Sequence, residues 1–418
     1  MKRRLLVWGL MLLAATAGGV LGLQAGPPAL APQTDAPAPA AAAVQRGAYL
    51  AVLGHCDGCH TARGGAPMAG GRPIETPFGS VISANLTPDR ATGLGDWSAA
   101  AFRRALREGV ARDGRRFTPT CPYPNFTLIT DADADDLYAY LRSLAPQVQP
   151  RQTGSLRWPY GTQAALAFWQ WRYLQPGPYQ PNSRHDAAWN RGAYLAGGLG
   201  HCAACHGARH ALGAHAGPFA LDGGTLPAGG WTAPALTSAQ AAGVAHWPEQ
   251  EVVDWFATGR TPRAAALGPM ADVVRGSTQH WAAADLRALA VYLRALPQHT
   301  PVAEAMPAAE PATLELGRKL YEAHCADCHG AQGEGRAPAY PALAGHRTLG
   351  LASPANALRI VLGGAFAPAT SGHARPYGMP PFGHELNDAQ LAALLSYLRQ
   401  AFANGAAPVS TLQVQQLR

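Results

Sequence analysis

The chain has 418 residues, more than one average domain holds, and only 14% of them are charged while Ala, Gly and Pro abound; several small cores with long loops between short helices fit this better than large regular sheets. Lysine and arginine exceed aspartate and glutamate by seven, which taken alone points to an acidic partner or a membrane surface. No interleaved basic and aromatic motif accompanies the excess, so nucleic-acid binding has no support.

Residues 1–25 open with Met1-Lys-Arg-Arg4 and then run uncharged from Leu5 to Leu23, a positive region followed by an apolar one, as in an export signal. As a helix the apolar run would extend about 28 Å, close to the hydrocarbon thickness of a bilayer. Two fates are open: retention as an N-terminal membrane anchor, or cleavage after Ala15-Thr-Ala17. Either places the remainder on the periplasmic side of a bacterial inner membrane. Residues 26–44 are Pro/Ala-rich without apolar periodicity and read as a semi-rigid linker.

Six of the seven cysteines stand in Cys56-Asp-Gly-Cys59-His60, Cys202-Ala-Ala-Cys205-His206 and Cys325-Ala-Asp-Cys328-His329. C-x-x-C-H is the attachment signal for haem c: two thiols one helical turn apart meet the porphyrin vinyl groups, and the following histidine ligates the iron. One copy is weak, since a redox or zinc C-x-x-C can have a histidine beside it. Three copies, none with a second C-x-x-C to complete a zinc site, are strong, and disulfide pairing is the bland alternative.

The surroundings repeat as well. Arg46-Gly-Ala-Tyr-Leu50, Arg191-Gly-Ala-Tyr-Leu195 and Gly317-Arg-Lys-Leu-Tyr321 precede the motifs and read as helices carrying them. Residues 133–144, 283–296 and 388–401 each have apolar positions at three- and four-residue spacings and a shared Tyr-Leu-Arg beginning at Tyr140, Tyr292 and Tyr397. Thr130 with Asp133 and Asn387 with Gln390 are the expected N-caps of two of these closing helices. The fold class is therefore mainly α, three tandem cytochrome c domains at 45–149, 188–298 and 312–403, each with one covalently attached haem that supplies much of a small core. Residues 150–187 connect the first two, 299–311 form a linker and 404–418 a tail. Three ferric haems with their propionates reduce the formal charge of +7 to about +4.

A low-spin electron-transfer haem takes a distal ligand, commonly methionine. Met1 and Met11 lie in the leader and Met306 in the linker. Met270, 64 residues after His206, and Met379, 50 after His329, stand in Gly/Pro-rich loops before the closing helices and are the expected distal ligands of the second and third haems. Met68, eight residues after His60, belongs to the near loop, and His55, His201 and His324 are pinned to the proximal side by the adjacent thioethers. The slot in the first copy holds Cys121, 61 residues after His60. Three readings are open: a thiolate on iron, which would lower the potential; a small residue beside an unligated or water-bound iron; and a reactive surface thiol. The other ring nitrogen of each proximal histidine needs an acceptor, expected from the loops containing Pro77, Pro234 and Pro341. Residues 163–174, the most aromatic stretch, read either as packing between the first two domains or as a docking surface.

With residues 70–79 (GGRPIETPFG), 85–89 (NLTPD), 95–97 (GDW), 268–273 (GPMADV), 340–345 (YPALAG) and 407–418 (APVSTLQVQQLR), the chain resembles the three-haem cytochrome c subunits of membrane-bound periplasmic dehydrogenases. Those occur with alcohol, aldehyde, gluconate and sorbitol oxidising partners. The resemblance implies no substrate catalysis on this chain. A catalytic subunit oxidises the substrate, and electrons pass through three haem c groups to ubiquinone or another carrier. In the alcohol and sugar branches methionine normally fills the slot of Cys121. Branches serving molybdenum-type aldehyde dehydrogenases vary there and keep an N-terminal anchor with a Pro/Ala segment, which favours a molybdopterin partner with a small iron–sulfur subunit. A quinoprotein alcohol or flavoprotein sugar dehydrogenase is the runner-up. A haem peroxidase or a redox sensor built on the first haem is the alternative of another class.

Overall fold

Each copy of the repeat is organised by two helices that cross where one of them carries glycine. In the computed structural model, which describes all residues except 1–25, 34–36, 227–228, 300–307, 338 and 404, the leading helices span Ala41–Leu53, Ala187–Gly197 and Pro311–His324. The closing helices span Asp131–Ser143, Ala283–Arg294 and Asp388–Phe402. A Cβ placed on Gly47, Gly192 or Gly317 would collide with the carbonyl of Asp136, Ala288 or Ala393. It would also lie 2.7, 2.6 and 2.6 Å from the Cβ of Tyr140, Tyr292 and Tyr397. The Tyr of Tyr-Leu-Arg thus marks the point where the closing backbone rests on the leading one, and only hydrogen fits between them.

The arginine two places on has an equally regular task. Arg142 donates to Pro37 O at 3.1 Å, Arg294 to Trp247 O at 2.8 Å, and Arg399 to Ala407 O at 2.7 Å, Leu349 O at 2.8 Å and Leu351 O at 2.9 Å. Each ties the closing helix to backbone carbonyls of another part of the chain. Arg399 is buried, which the three carbonyl bonds make tolerable.

The expected caps are present. Thr130 Oγ1 accepts from Asp133 N at 3.2 Å, and Asn387 and Gln390 exchange side-chain to backbone bonds at 2.9 and 3.0 Å. The N-terminal apolar segment, Met306 and most of the 299–311 linker lie outside the described residues. Among the described residues no helix is long and apolar enough to cross a membrane.

The chain divides into two compact units. The first comprises residues up to 51, 56–180 and 210–218, and so holds the first attachment motif and its closing helix together with the connecting segment as far as Gln180. An antiparallel hairpin, Pro73–Thr76 against Gly79–Ile82, follows the motif, with Ile74 opposite Val81. Helix Ala99–Glu108 is capped by Ser98 Oγ and stopped by Gly109 in the left-handed region. Helix Gln163–Tyr173 turns Leu166, Ala167 and Trp169 inward, and Trp169 Nε1 donates to Leu212 O at 2.9 Å. Its outward face carries Phe168 and Trp171, 47% and 77% exposed.

The second unit comprises residues 52–55, 181–209 and 219–418 and holds the other two copies. Its last core gathers Leu320, Tyr321, Leu358, Leu391, Leu395 and Val414. Val414 lies on the terminal helix Thr411–Leu417, which has a capping box of Ser410 and Gln413, so the tail is part of this core.

Replacing Gly192 by Ala gains ~1 kcal/mol of helix propensity but forces the helices apart, and overpacking at such a crossing costs about 1–3 kcal/mol. The expected net result is a lowered midpoint in thermal unfolding of the haem-loaded chain, matched by Gly47→Ala and Gly317→Ala. A midpoint equal to or above that of the parent would mean that the crossing has slack.

Candidate haem sites and family

The attachment motifs fold as single helical turns, Cys56–His60, Ala203–His206 and Ala326–His329. His55 and His201, each directly before its motif, take left-handed backbone angles, φ 47° and 36°. His201 Nδ1 is occupied by its own Leu199 O at 2.7 Å, and His324 lies at the end of its leading helix near Phe382.

In each copy Nδ1 of the motif histidine bonds to a backbone carbonyl: His60 to Ala84 O at 2.8 Å, His206 to Pro234 O at 2.7 Å, and His329 to Pro341 O at 2.9 Å. Such a bond fixes the tautomer with hydrogen on Nδ1 and leaves the Nε2 lone pair for a metal. Burial also lowers the proton affinity of all three rings, favouring the neutral form that ligates iron. Pro234 and Pro341 stand where the sequence pointed; in the first copy the acceptor is Ala84 rather than Pro77. Pro77 sits in the turn of the hairpin, with its carbonyl taken by Arg157, and the chain reaches the histidine only after the second strand ends at Ile82.

The cysteine chemistry agrees. All seven cysteines are free thiols, so none of the C-x-x-C pairs is a disulfide. Among the described residues no group of three or more His, Cys, Asp and Glu converges to hold a metal. Free thiol pairs, each followed by a histidine whose Nδ1 is locked, fit a covalently attached haem.

Arg72 donates to Gly58 O and Arg209 to Ala204 O, the equivalent carbonyl inside the first and second motifs. Sequence reasoning missed both arginines. Arg72 follows its histidine by twelve residues and Arg209 by three, so no constant offset betrays their shared role.

Met270 is the second residue of helix Pro269–Gly276 and is half-buried. The turn before it depends on Gly268, at φ 57°, whose missing Cβ leaves room for the Trp231 ring at 2.7 Å. Met379 pairs with Ala365 in a two-residue ladder and packs on the same core as Cys325. Met68 is buried in the near loop, its N–H bonded to Thr61 Oγ1 and its carbonyl to Leu86 N. That loop continues into the one whose Ala84 holds His60, so Met68 belongs to the proximal side.

Cys121 is half-buried beside Phe117, Tyr123 and Trp169. Burial pushes its thiol up to about 12, with a further contribution from Cys59. Cys56 is likewise pushed up to about 12 by burial, then by Cys59 and Cys121. The fold therefore brings Cys121 within electrostatic range of both attachment thiols. A thiol so raised stays protonated at neutral pH unless a cation such as ferric iron claims it.

A cytochrome c family model matches residues 44–145 and 314–402. The chain is 36% identical over 397 residues to the gluconate 2-dehydrogenase cytochrome c subunit of Pantoea cypripedii, covering 90% of each chain. It is 34% identical over 396 residues to the cytochrome c subunit of the quinone alcohol dehydrogenase of Gluconacetobacter polyoxogenes, covering 90% of this chain and 84% of that one. The chain belongs to the cytochrome c subunits of dehydrogenases. A nicotinate dehydrogenase subunit of Pseudomonas putida is 41% identical over 373 residues, which are 87% of this chain and only 30% of that protein, so this chain spans under a third of that relative's length. The two stretches matched by the family model hold the first and third motifs, and the middle motif, with His206, lies between them.

Replacing Met270 or Met379 by Leu is expected to lower the potential of one haem and open that iron to cyanide, in redox titration and ligand binding, because leucine fills the space without the sulfur. Unchanged titration would show that the sulfur is not on iron.

Proposed function

We propose that this chain is the three-haem electron-transfer subunit of a membrane-bound periplasmic dehydrogenase, taking electrons from a catalytic partner and delivering them to ubiquinone or another carrier. The observation that carries the reading is the histidine lock, made three times by unrelated loops. Cys56 and Cys59, Cys202 and Cys205, and Cys325 and Cys328 would hold the haems by thioether bonds, with His60, His206 and His329 as proximal ligands. Bound haem c supplies reversible one-electron chemistry at iron.

The protein's part is to set potentials. Met270 and Met379 would present neutral sulfur, which favours the ferrous state. Cys121 would present a thiolate, whose charge favours the ferric state and makes the first site the lowest of the three. The neutral, carbonyl-bonded imidazoles add the same electron donation in each copy, so differences among the sites arise on the distal side.

For the partner, a molybdenum-type aldehyde dehydrogenase with a small iron–sulfur subunit is the favoured reading. Cys121 in place of methionine supports it, together with the N-terminal apolar and Pro/Ala segments. The quinoprotein alcohol or flavoprotein sugar reading has its own support in relatives matched over nearly their whole length. Affinity purification of the tagged chain from its native membranes tests this. A molybdenum-containing subunit and haem reduction by aldehydes are expected, whereas a quinoprotein or flavoprotein in the eluate would select the second reading. Appreciable peroxide turnover by the isolated subunit would overturn electron transfer as its role.

Replacing Cys121 by Met is expected to raise the potential of the first haem and alter its spectrum, followed by redox titration with electron paramagnetic resonance. If both stay as in the parent, Cys121 only fills space.

A further inference from the structure

The first unit carries an aromatic surface that its own core does not use. Helix Gln163–Tyr173 is apolar nearly all round, yet only the side with Leu166 and Trp169 is covered. Phe168, Trp171 and Arg172, spaced i, i+3 and i+4, share the other side. Just before the helix Trp158 is 85% exposed and Tyr160 38%, with Tyr160 resting on Phe78 at 4.5 Å between ring centroids. A surface helix normally has a polar outer face, so two largely exposed tryptophans in one connecting segment call for a cover.

The charge along this stretch of chain has one sign. From residue 137 to 180 there is no Asp or Glu, while Arg142, Arg151, Arg157 and Arg172 are present. Arg151 is largely exposed, its charge disfavoured first by partial burial and then by the nearby Arg115, and the nearby Asp113 is answered by Arg115 at 2.7 Å. Tryptophan and arginine without carboxylates match the interfacial zone of an anionic bilayer, where indole sits at headgroup depth and guanidinium meets phosphate.

The N-terminal chain arrives near the start of the same helix. Gly26 lies against the Gly114 carbonyl, which leaves no room for a Cβ, and Leu30 N donates to Arg112 O at 2.8 Å. Two residues beyond Gly114, Arg116 N donates to Gln163 Oε1 at 2.8 Å, in the first turn of the aromatic helix. Gly26, the first described residue after a segment with three basic and mostly apolar residues, therefore lies near the start of this helix.

We propose that the face bearing Trp158, Phe168 and Trp171, ringed by Arg151, Arg157 and Arg172, rests on the anionic bilayer surface as a second membrane contact beside the N-terminal segment. This rests on the reading that residues 1–25 deliver the chain to a membrane. One apolar chain segment and one basic aromatic patch together hold a protein at a bilayer where either alone is marginal.

Hydrogen–deuterium exchange of the full-length, haem-loaded chain, with vesicles of phosphatidylcholine alone or mixed with phosphatidylglycerol, tests this surface. With the mixed vesicles, amides of residues 156–173 are expected to slow by about tenfold or more. The protection should be lost in a Trp158→Ser/Trp171→Ser variant with an unchanged haem spectrum, since both side chains lie outside the core. Co-sedimentation with vesicles but no protection of these residues would overturn the surface and leave membrane delivery standing. No co-sedimentation would overturn both. Protection that appears only with the catalytic subunit present would overturn the lipid reading in favour of a protein partner.

Discussion

Everything in this chain is arranged around one short bond, from the Nδ1 hydrogen of a histidine to a backbone carbonyl. The bond decides which nitrogen faces the distal side, holds the ring against rotation and makes the free nitrogen a better donor. It is made at 2.8, 2.7 and 2.9 Å by three loops of different sequence and length. The glycine-dependent crossing of leading and closing helices supplies the frame on which each histidine and its loop are held. A small helical domain with so much irregular chain has little apolar matter of its own, and a covalently attached porphyrin gives the loops something to close upon.

What could be read in the sequence was whatever covalent chemistry or tight contact forces into a fixed order. Cys-x-x-Cys-His must be contiguous because two thioethers and an iron bond share one helical turn. The Gly of the leading helix and the Tyr of Tyr-Leu-Arg recur because two backbones touch there. The position of Cys121 could be inferred from its place before the closing helix, and the fold puts it within range of Cys56 and Cys59. Contacts that depend on the path of a loop were out of reach. Ala84 replaces Pro77 as the acceptor of His60 because Pro77 lies in the turn of a hairpin; in the second copy a shorter antiparallel pair, Gly224–Thr225 with Thr232–Ala233, ends directly before Pro234. Arg72 and Arg209 serve equivalent carbonyls from unrelated positions. Helix Gln163–Tyr173 shows no amphipathic pattern because both of its faces are apolar, so sequence could not say which was inside.

The family membership and the site chemistry divide the work of the complex. Relatives are named for gluconate, alcohol and nicotinate, substrates with little in common, while the cytochrome sequence stays similar over nearly its whole length. In the proposed reading substrate recognition falls to the catalytic partner, and the side chains of the three sites would hold iron and adjust its potential. Cys121 is the point at which the three copies differ in chemistry rather than in loop length. Burial pushes its thiol up to about 12, so without a cation beside it the thiol stays protonated at neutral pH.

The claim on which the rest stands is that all three motifs, including the middle one that the family model does not cover, carry haem. Intact-mass measurement of the chain expressed with cytochrome c maturation machinery, repeated after Cys202→Ser/Cys205→Ser replacement, tests it directly. Three covalent haems in the parent and two in the variant are the expected result. Two in both would show that the middle copy is an empty repeat and would contradict the three-site organisation.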